Sequence, residues 1–307
     1  MKDIFDISAE IKQALNYGKP IVALESSYFT NGLPKEVSLG TVEKVEKAVR
    51  KAGAYPATTA IIDGQIKVGL SGDEIKYLCE CDSYKVSVRD IPMAMLKKWN
   101  AGTTVSASAR IASTVGIPVL ATGGIGGVHI GFDKSLDISS DLWELAHNSI
   151  TVVCSGVKSM LDIPATCEWL ETHCIPIYGL ATAEMPAFYT RKSGIKISQL
   201  DNLREVVNIL NLAPRVGLKS STLLVVPVPE EYDLDVSDAV SKALESAGVQ
   251  GITGKELTPF LLNYIASYTD GKSVETNVSL LINNAKTSAE LAVMLANECE
   301  RKMGFVV

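Results

Sequence analysis

Gly116-Ile117-Pro118-Val119-Leu120-Ala121-Thr122 and Cys174-Ile175-Pro176-Ile177-Tyr178-Gly179-Leu180-Ala181-Thr182 echo one another. In each, an Ile-Pro joint ends a helical pattern and opens a short apolar strand. The helices are predicted near 104–114 and 160–173, the strands over Val119–Ala121 and Ile177–Leu180. Helix followed by buried strand, twice, is the grammar of an α/β fold. The echo is too short to signal a solenoid.

The same grammar extends outward. Ile21-Val22-Ala23-Leu24 is a continuous apolar run, as a strand covered on both faces requires. Val42, Val45, Val49 and Ala52 recur at helical spacing over 40–52, and Gly53 supplies a stop. Ala60-Ile61-Ile62, then Asp63-Gly64, then Gln65–Leu70 predicts a hairpin, because Asp-Gly suits a type I′ turn. A short helix after Ser71, a strand near Lys85–Val88, a helix over 140–147 and strands over Ile150–Cys154 and Leu223–Val226 follow. The last third is helical, near 236–247, 257–268 and 274–302. No Gly/Ser-rich or Pro-rich linker interrupts the chain. The expectation is a single domain over 1–307: an α/β/α sandwich with a central mixed, mostly parallel sheet and a helical C-terminal part.

Composition narrows the function. The 307 residues carry 29 Lys+Arg against 35 Asp+Glu, and 47% are apolar. That excludes global disorder. The acidic balance, with no basic run longer than two, argues against nucleic-acid binding by bulk electrostatics. No apolar stretch approaches the ~18 residues of a membrane span. Met1-Lys2-Asp3-Ile4-Phe5-Asp6 has no apolar core, so no signal peptide is expected. The six cysteines form no Cys-x-x-Cys pair, and with three histidines a Cys/His zinc site has little material. Free thiols in a reducing cytoplasm are expected.

Chemistry-bearing residues gather after the predicted strands, where α/β sheets bind ligands. Ala121-Thr122-Gly123-Gly124-Ile125-Gly126-Gly127-Val128-His129 places four glycines there. Glycine lets backbone N–H groups approach an anion, or serves a tight turn with no ligand. A dinucleotide fingerprint needs glycine where His129 stands, which disfavours NAD. Ser139 or Ser140 suits the N-cap of the next helix, with Asp141 at its positive end. Asp137 falls before the cap, close to the glycine loop. A carboxylate there suits a hard divalent cation with few protein ligands and several waters. Lys158, in Val152-Val153-Cys154-Ser155-Gly156-Val157-Lys158-Ser159, is either a snorkelling surface lysine or a desolvated amine nucleophilic toward a carbonyl or anomeric carbon. Glu25 ends the first buried strand, as a general acid or base or as a solvating group. Lys85 is equally ambiguous alone. Asn277, Leu281 and Asn284 share one helical face, so the asparagines belong to a core network or to substrate contacts.

Together the segments VALES (22–26), PATTAIIDGQIKVGLS (56–71), KVSVRD (85–90), TTVSAS (103–108), ATGGIGGVH (121–129), DISSDL (137–142), VVCSGVKSMLD (152–162), MPAFYTR (185–191), GKELTPFLL (254–262) and NVSLLINNA (277–285) resemble the pseudouridine-5′-phosphate glycosidase family, also called indigoidine synthase A-like. The resemblance runs from about residue 18 to 295 and implies reversible cleavage of the C–C glycosidic bond of pseudouridine 5′-phosphate to uracil and ribose 5-phosphate. It implies a divalent metal, usually Mn²⁺, and a homotrimer acting on a small nucleotide or sugar phosphate. By position, Lys158 matches the Schiff-base lysine, Glu25 the general acid and Asp137 the metal ligand. Lys85, the backbone near Val105, Ser139, Ser140 and Asp141 match substrate contacts, and Asn277 an active-site asparagine. Attack by Lys158 would open the ribose ring and allow an imine, whose protonated form is an electron sink beside the bond to be broken. Glu25 would protonate the departing carbon. The two-carboxylate O-glycosidase scheme does not apply.

The chain departs from that pattern at Asn31 (usually His), Val88 and Ile130 (usually Arg), Ala181 (usually Gln) and Val226 (usually Asn). The expectation is retained C–C lyase chemistry with altered recognition of phosphate or base. The alternative is a paralogue acting on another C-nucleoside or C-glycoside.

Overall fold

The computed structural model describes residues 4–304. Met1-Lys2-Asp3, within the run expected to be no signal peptide, lies outside them. Thirteen strands occur among the described residues: β1 (Phe5–Ile7), β2 (Ile21–Leu24), β3 (Tyr55–Ile62), β4 (Gln65–Val68), β5 (Tyr84–Val86), β6 (Ala101–Thr103), β7 (Val119–Ala121), β8 (Val128–His129), β9 (Thr151–Cys154), β10 (Leu161–Asp162), β11 (Ile177–Leu180), β12 (Ser198–Leu200) and β13 (Thr222–Val225). The helices are α1 (Ala9–Asn16), α2 (Lys35–Lys51), α3 (Gly72–Glu80), α4 (Ile91–Leu96), α5 (Val105–Val115), α6 (Phe132–Ser135), α7 (Ser140–His147), α8 (Ile163–Thr172), α9 (Leu203–Leu212), α10 (Ser237–Gln250), α11 (Leu257–Tyr268) and α12 (Lys272–Gly304).

The main sheet runs β1-β4-β3-β2-β7-β9-β13-β11-β12, with β6 on β3 and β5 on β6. From β3 through β2, β7, β9, β13 and β11 to β12 every pairing is parallel. The antiparallel pairs in this sheet are β3–β4 and β3–β6. The sheet is therefore mixed and mostly parallel, as expected. Its central strands IVAL, VLA, TVVC and TLLV are buried at every position. Helices on both faces leave no solvated side, so alternation disappears. α12 lies across β2, β7 and β9 and against α2, while α5 packs on β2, β3 and β7 and against α7.

The Asp63-Gly64 hairpin is present between β3 and β4, with φ of 47° and 74° at its two central residues, the type I′ signature. Other boundaries moved. α2 begins at Lys35, five residues earlier than the periodicity suggested, because Pro34 suits the entry to a helix. α8 begins at Ile163, where the Asp162 carboxylate accepts from Ala165 N–H at 2.9 Å. Val226 falls one residue past the end of β13. The short strands β1, β6 and β12 and a π-helical turn over Tyr28–Gly32 carry no pattern long enough to read from the sequence; α9 does carry one, with Leu203, Val206, Val207 and Leu210 at helical spacing after the Asn202 cap, and was missed. The six cysteines are free thiols, and burial pushes the Cys154 thiol up to about 12. Among the described residues no helix is long and apolar enough to cross a membrane.

Candidate active site

β2, β7 and β9 are neighbours in the sheet, so the loops after their carboxyl ends meet. They carry Glu25-Ser26-Ser27, Thr122-Gly123-Gly124 and Ser155-Gly156-Val157-Lys158. Glu25 is 3% exposed. Its Oε2 accepts from the Ser27 hydroxyl at 2.8 Å and its Oε1 from the Thr122 hydroxyl. Burial raises its pKa above the ordinary carboxylate value; the nearby Lys158 and the two hydroxyls oppose that shift.

Part of the glycine loop spends its N–H groups inside the protein, while Gly123 and Gly124 line the cleft. Gly126 N–H donates to Asp141 Oδ2 at 2.9 Å, Ile125 N–H to the Gly156 carbonyl at 3.0 Å, and Val128 N–H to Thr166 Oγ1 at 2.9 Å. None of these four glycines has positive φ. They are small to admit neighbours: a Cβ on Gly126 would sit 2.2 Å from Ser139 Oγ, and one on Gly127 2.4 Å from Thr166 Oγ1.

Two adjoining compartments open above these loops, and Ser27, Lys85, Lys158 and Thr258 line both. The inner one is walled by Phe188, Leu281, Leu262 and Pro259, with Glu25, Asn31 and Asn277 as polar groups. The outer one is polar, holding Arg89, His129, Asp137, Ser139, Ser140 and Asp141. β8 pairs with β10, placing His129 opposite Leu161 just beyond Lys158. His129 Nδ1 lies 3.9 Å from Asp137 Oδ2. Burial lowers the His129 pKa, against the pull of Asp137 and with the help of Lys85 and Lys158, which favours a neutral imidazole.

The structure thus brings together Glu25, Lys85, Lys158 and Asn277 on one side, and Asp137, Ser139, Ser140 and Asp141 on the other. Ser139 caps α7, its hydroxyl accepting from Asp141 N–H at 3.2 Å. Asp141 has both carboxylate oxygens engaged, Oδ1 with Ser106 N–H at 2.9 Å and Oδ2 with Gly126 N–H, so its carboxylate braces α5, α7 and the glycine loop. Val105 is the first residue of α5 and 1% exposed; its neighbour Thr104 is the one that lines the outer compartment. Asn284 is fully buried and belongs to the core network. Asn31 lines the inner compartment with its amide held at both ends: Nδ2 donates to the Ser83 carbonyl at 3.2 Å and Oδ1 accepts from Thr30 Oγ1 at 2.8 Å. Val88, Ile130, Ala181 and Val226 line neither compartment. Thr122, Ser27, Phe188, His129 and Arg89 were not singled out from sequence. The polar residues directly after β2 and β7 carried a usable signal, since strand ends are where α/β sites form.

A partly exposed carboxylate, Asp137, with the His129 imidazole 3.9 Å away, fits a hard divalent cation that keeps most of its shell as water and substrate oxygens. Among the described residues no group of three or more His, Cys, Asp or Glu forms an all-protein metal cage.

Comparison with known proteins agrees with this architecture. The family model described as "Indigoidine synthase A like protein" matches residues 10–294. The pseudouridine-5′-phosphate glycosidase of Alkaliphilus metalliredigens is 46% identical over 94% of this chain and 96% of its own. That of Clostridium botulinum is 44% identical over 96% and 98%. Among solved structures, an indigoidine synthase A-like protein from Thermotoga maritima superposes with a TM-score of 0.88 at 36% identity, covering 95% of this chain and 96% of that one. The prealnumycin C-glycosynthase AlnA in complex with ribulose 5-phosphate gives 0.89 at 34% identity, covering 98% and 100%. With the family model matched across nearly the whole chain and relatives this close, the chain belongs to the indigoidine synthase A-like family.

Proposed function

We propose that this chain is a C-glycosidase that reversibly cleaves the C–C glycosidic bond of pseudouridine 5′-phosphate, giving uracil and ribose 5-phosphate, on a single domain in a cytoplasmic homotrimer. The observation that carries the reading is Lys158 at the junction of an apolar compartment that also holds buried Glu25 and a polar compartment at the N-terminus of α7. The first suits a planar base. The second suits a phosphorylated pentose, since helix N-termini and hydroxyls favour anions.

The chemistry follows from those positions. The Lys158 amine attacks the anomeric carbon, the bond to the ring oxygen breaks, and that oxygen leaves as a hydroxyl after taking a proton. Glu25, whose burial favours the protonated form, delivers a proton to the uracil carbon of the glycosidic bond. The nitrogen lone pair then expels the base: the C–C bond breaks, its electrons stay with uracil, and a protonated imine joins Lys158 to the open pentose. Water hydrolyses the imine, releasing ribose 5-phosphate and the free lysine. Lys85 and Arg89 add positive charge on the phosphate side, with Ser139 and Ser140 as further contacts. Asp137, with His129 beside it, would hold Mn²⁺, whose charge would help fix the phosphate.

Incubation with Mn²⁺ and pseudouridine 5′-phosphate should release uracil and ribose 5-phosphate in equal amounts by mass spectrometry. No release from folded protein would sink the reading. It would favour another C-nucleoside or C-glycoside as substrate, the alternative that Asn31 in the wall of the base compartment supports.

A further inference from the structure

Phe188 occupies a backbone position built for glycine. Ala187 and Thr190 exchange hydrogen bonds, N–H to carbonyl at 2.9 and 3.4 Å, which makes Phe188-Tyr189 a two-residue hairpin loop. Phe188 has φ of 62° and Tyr189 is not in the positive region. Positive φ at the first central residue alone is the type II′ pattern, which normally takes glycine. An aromatic residue held there is a backbone outlier, and such strain clusters at functional sites.

The surroundings over-determine the position. Phe188 N–H donates to the Ser155 carbonyl at 2.9 Å, and Ser159 Oγ donates to the Ala187 carbonyl at 2.5 Å. The turn is therefore pinned on both sides to the loop that carries Lys158. The ring lies in the wall of the inner compartment. Gly123 and Gly124 make room for it: a Cβ on Gly124 would lie 2.5 Å from Phe188 Cδ2, and one on Gly123 3.2 Å from Cε2. A strained turn, two side-chain-free positions and two anchoring hydrogen bonds all serve one ring beside the catalytic lysine.

Resting on the C-glycosidase reading, we propose that Phe188 is the specificity wall for the nucleobase, the planar ring of uracil packing against its ring while Asn277 meets the polar edge. The ring acts on the base alone, because the pentose phosphate lies on the other side of Lys158.

The synthesis direction separates the two ligands. The full chain with Mn²⁺ is assayed for pseudouridine 5′-phosphate formation, varying uracil and ribose 5-phosphate independently. Phe188→Leu keeps the apolar bulk and removes the planar face. Phe188→Gly removes the ring and suits the turn. Both should raise KM for uracil by about tenfold or more, in line with base–aromatic stacking, and leave KM for ribose 5-phosphate within about twofold. A pure packing role would leave the uracil KM of Phe188→Leu unchanged, or move both constants together, and either result overturns the assignment. If wild-type protein forms no product from the two substrates, the reaction itself is misread and the assignment falls with it.

Discussion

The carboxamide of Asn284 on α12 donates a 2.9 Å hydrogen bond to the carbonyl of Thr122, the residue whose hydroxyl holds Glu25. The same Nδ2 reaches the Gly123 carbonyl at 3.3 Å and Ser155 Oγ at 3.1 Å. One buried amide therefore ties the loop after β7 to the loop after β9, and through them the acid to the lysine. Asn284→Leu should lower stability by about 1–3 kcal/mol, the cost of stranding buried acceptors. Urea unfolding measures this. The rate per folded molecule should fall as well, and a variant with wild-type kcat would show that the tie is structural only.

Glu25 makes both stability and rate depend on pH. Its folded pKa lies above its unfolded value because burial disfavours the charge. The protonated form's contribution is fully present below the unfolded pKa and is lost as pH rises through the folded pKa. Above that point Glu25→Gln should be the more thermostable protein, and the gap should close on acidification. Melting temperatures across a pH series decide it.

The alkaline limb of the cleavage rate should follow the same carboxyl. Thr122→Val removes a hydrogen bond that favours the charged form, so the Glu25 pKa should rise further and the limb should move to higher pH. A limb that stays in place would assign the acid to another group.

Lys158 should be trapped by borohydride in the presence of ribose 5-phosphate, leaving a reduced pentose phosphate adduct on the peptide that contains it. Lys158→Ala should form no adduct and lose several orders of magnitude in turnover. Residual turnover near wild type would exclude the imine route.

Asp137, with a side chain 39% exposed, is free to meet a cation and solvent together. Asp137→Asn should weaken Mn²⁺ activation by about 10–100-fold or more, as loss of groups at metal sites does. Titration of activity after chelation reads the effect directly. Equal Mn²⁺ dependence in both proteins would move the metal elsewhere.

Glu25, Lys158 and Asp137 were legible as candidates because each breaks a local pattern: an acid ending an apolar strand, a lysine after a buried one, a carboxylate ahead of a helix cap. Phe188 was not, since its turn depends on the Ser155 carbonyl and Ser159 hydroxyl, which no local spacing encodes. The glycine loop was legible as special, but its reason was not. The N–H groups of Gly126, Ile125 and Val128 serve Asp141, Gly156 and Thr166, and the loop's missing side chains admit Phe188, Ser139 and Thr166.

Periodicity, apolar runs and turn chemistry are properties of neighbouring residues, so the α/β class, the Asp63-Gly64 hairpin and the principal helices followed from the chain alone. The order in which strands lie side by side, the meeting of Glu25 with Lys158 across β7, and the division of the cleft into an apolar and a polar half were decided by tertiary packing. Those contacts join residues from some thirty to more than a hundred positions apart, and a linear pattern holds no distance information at that range.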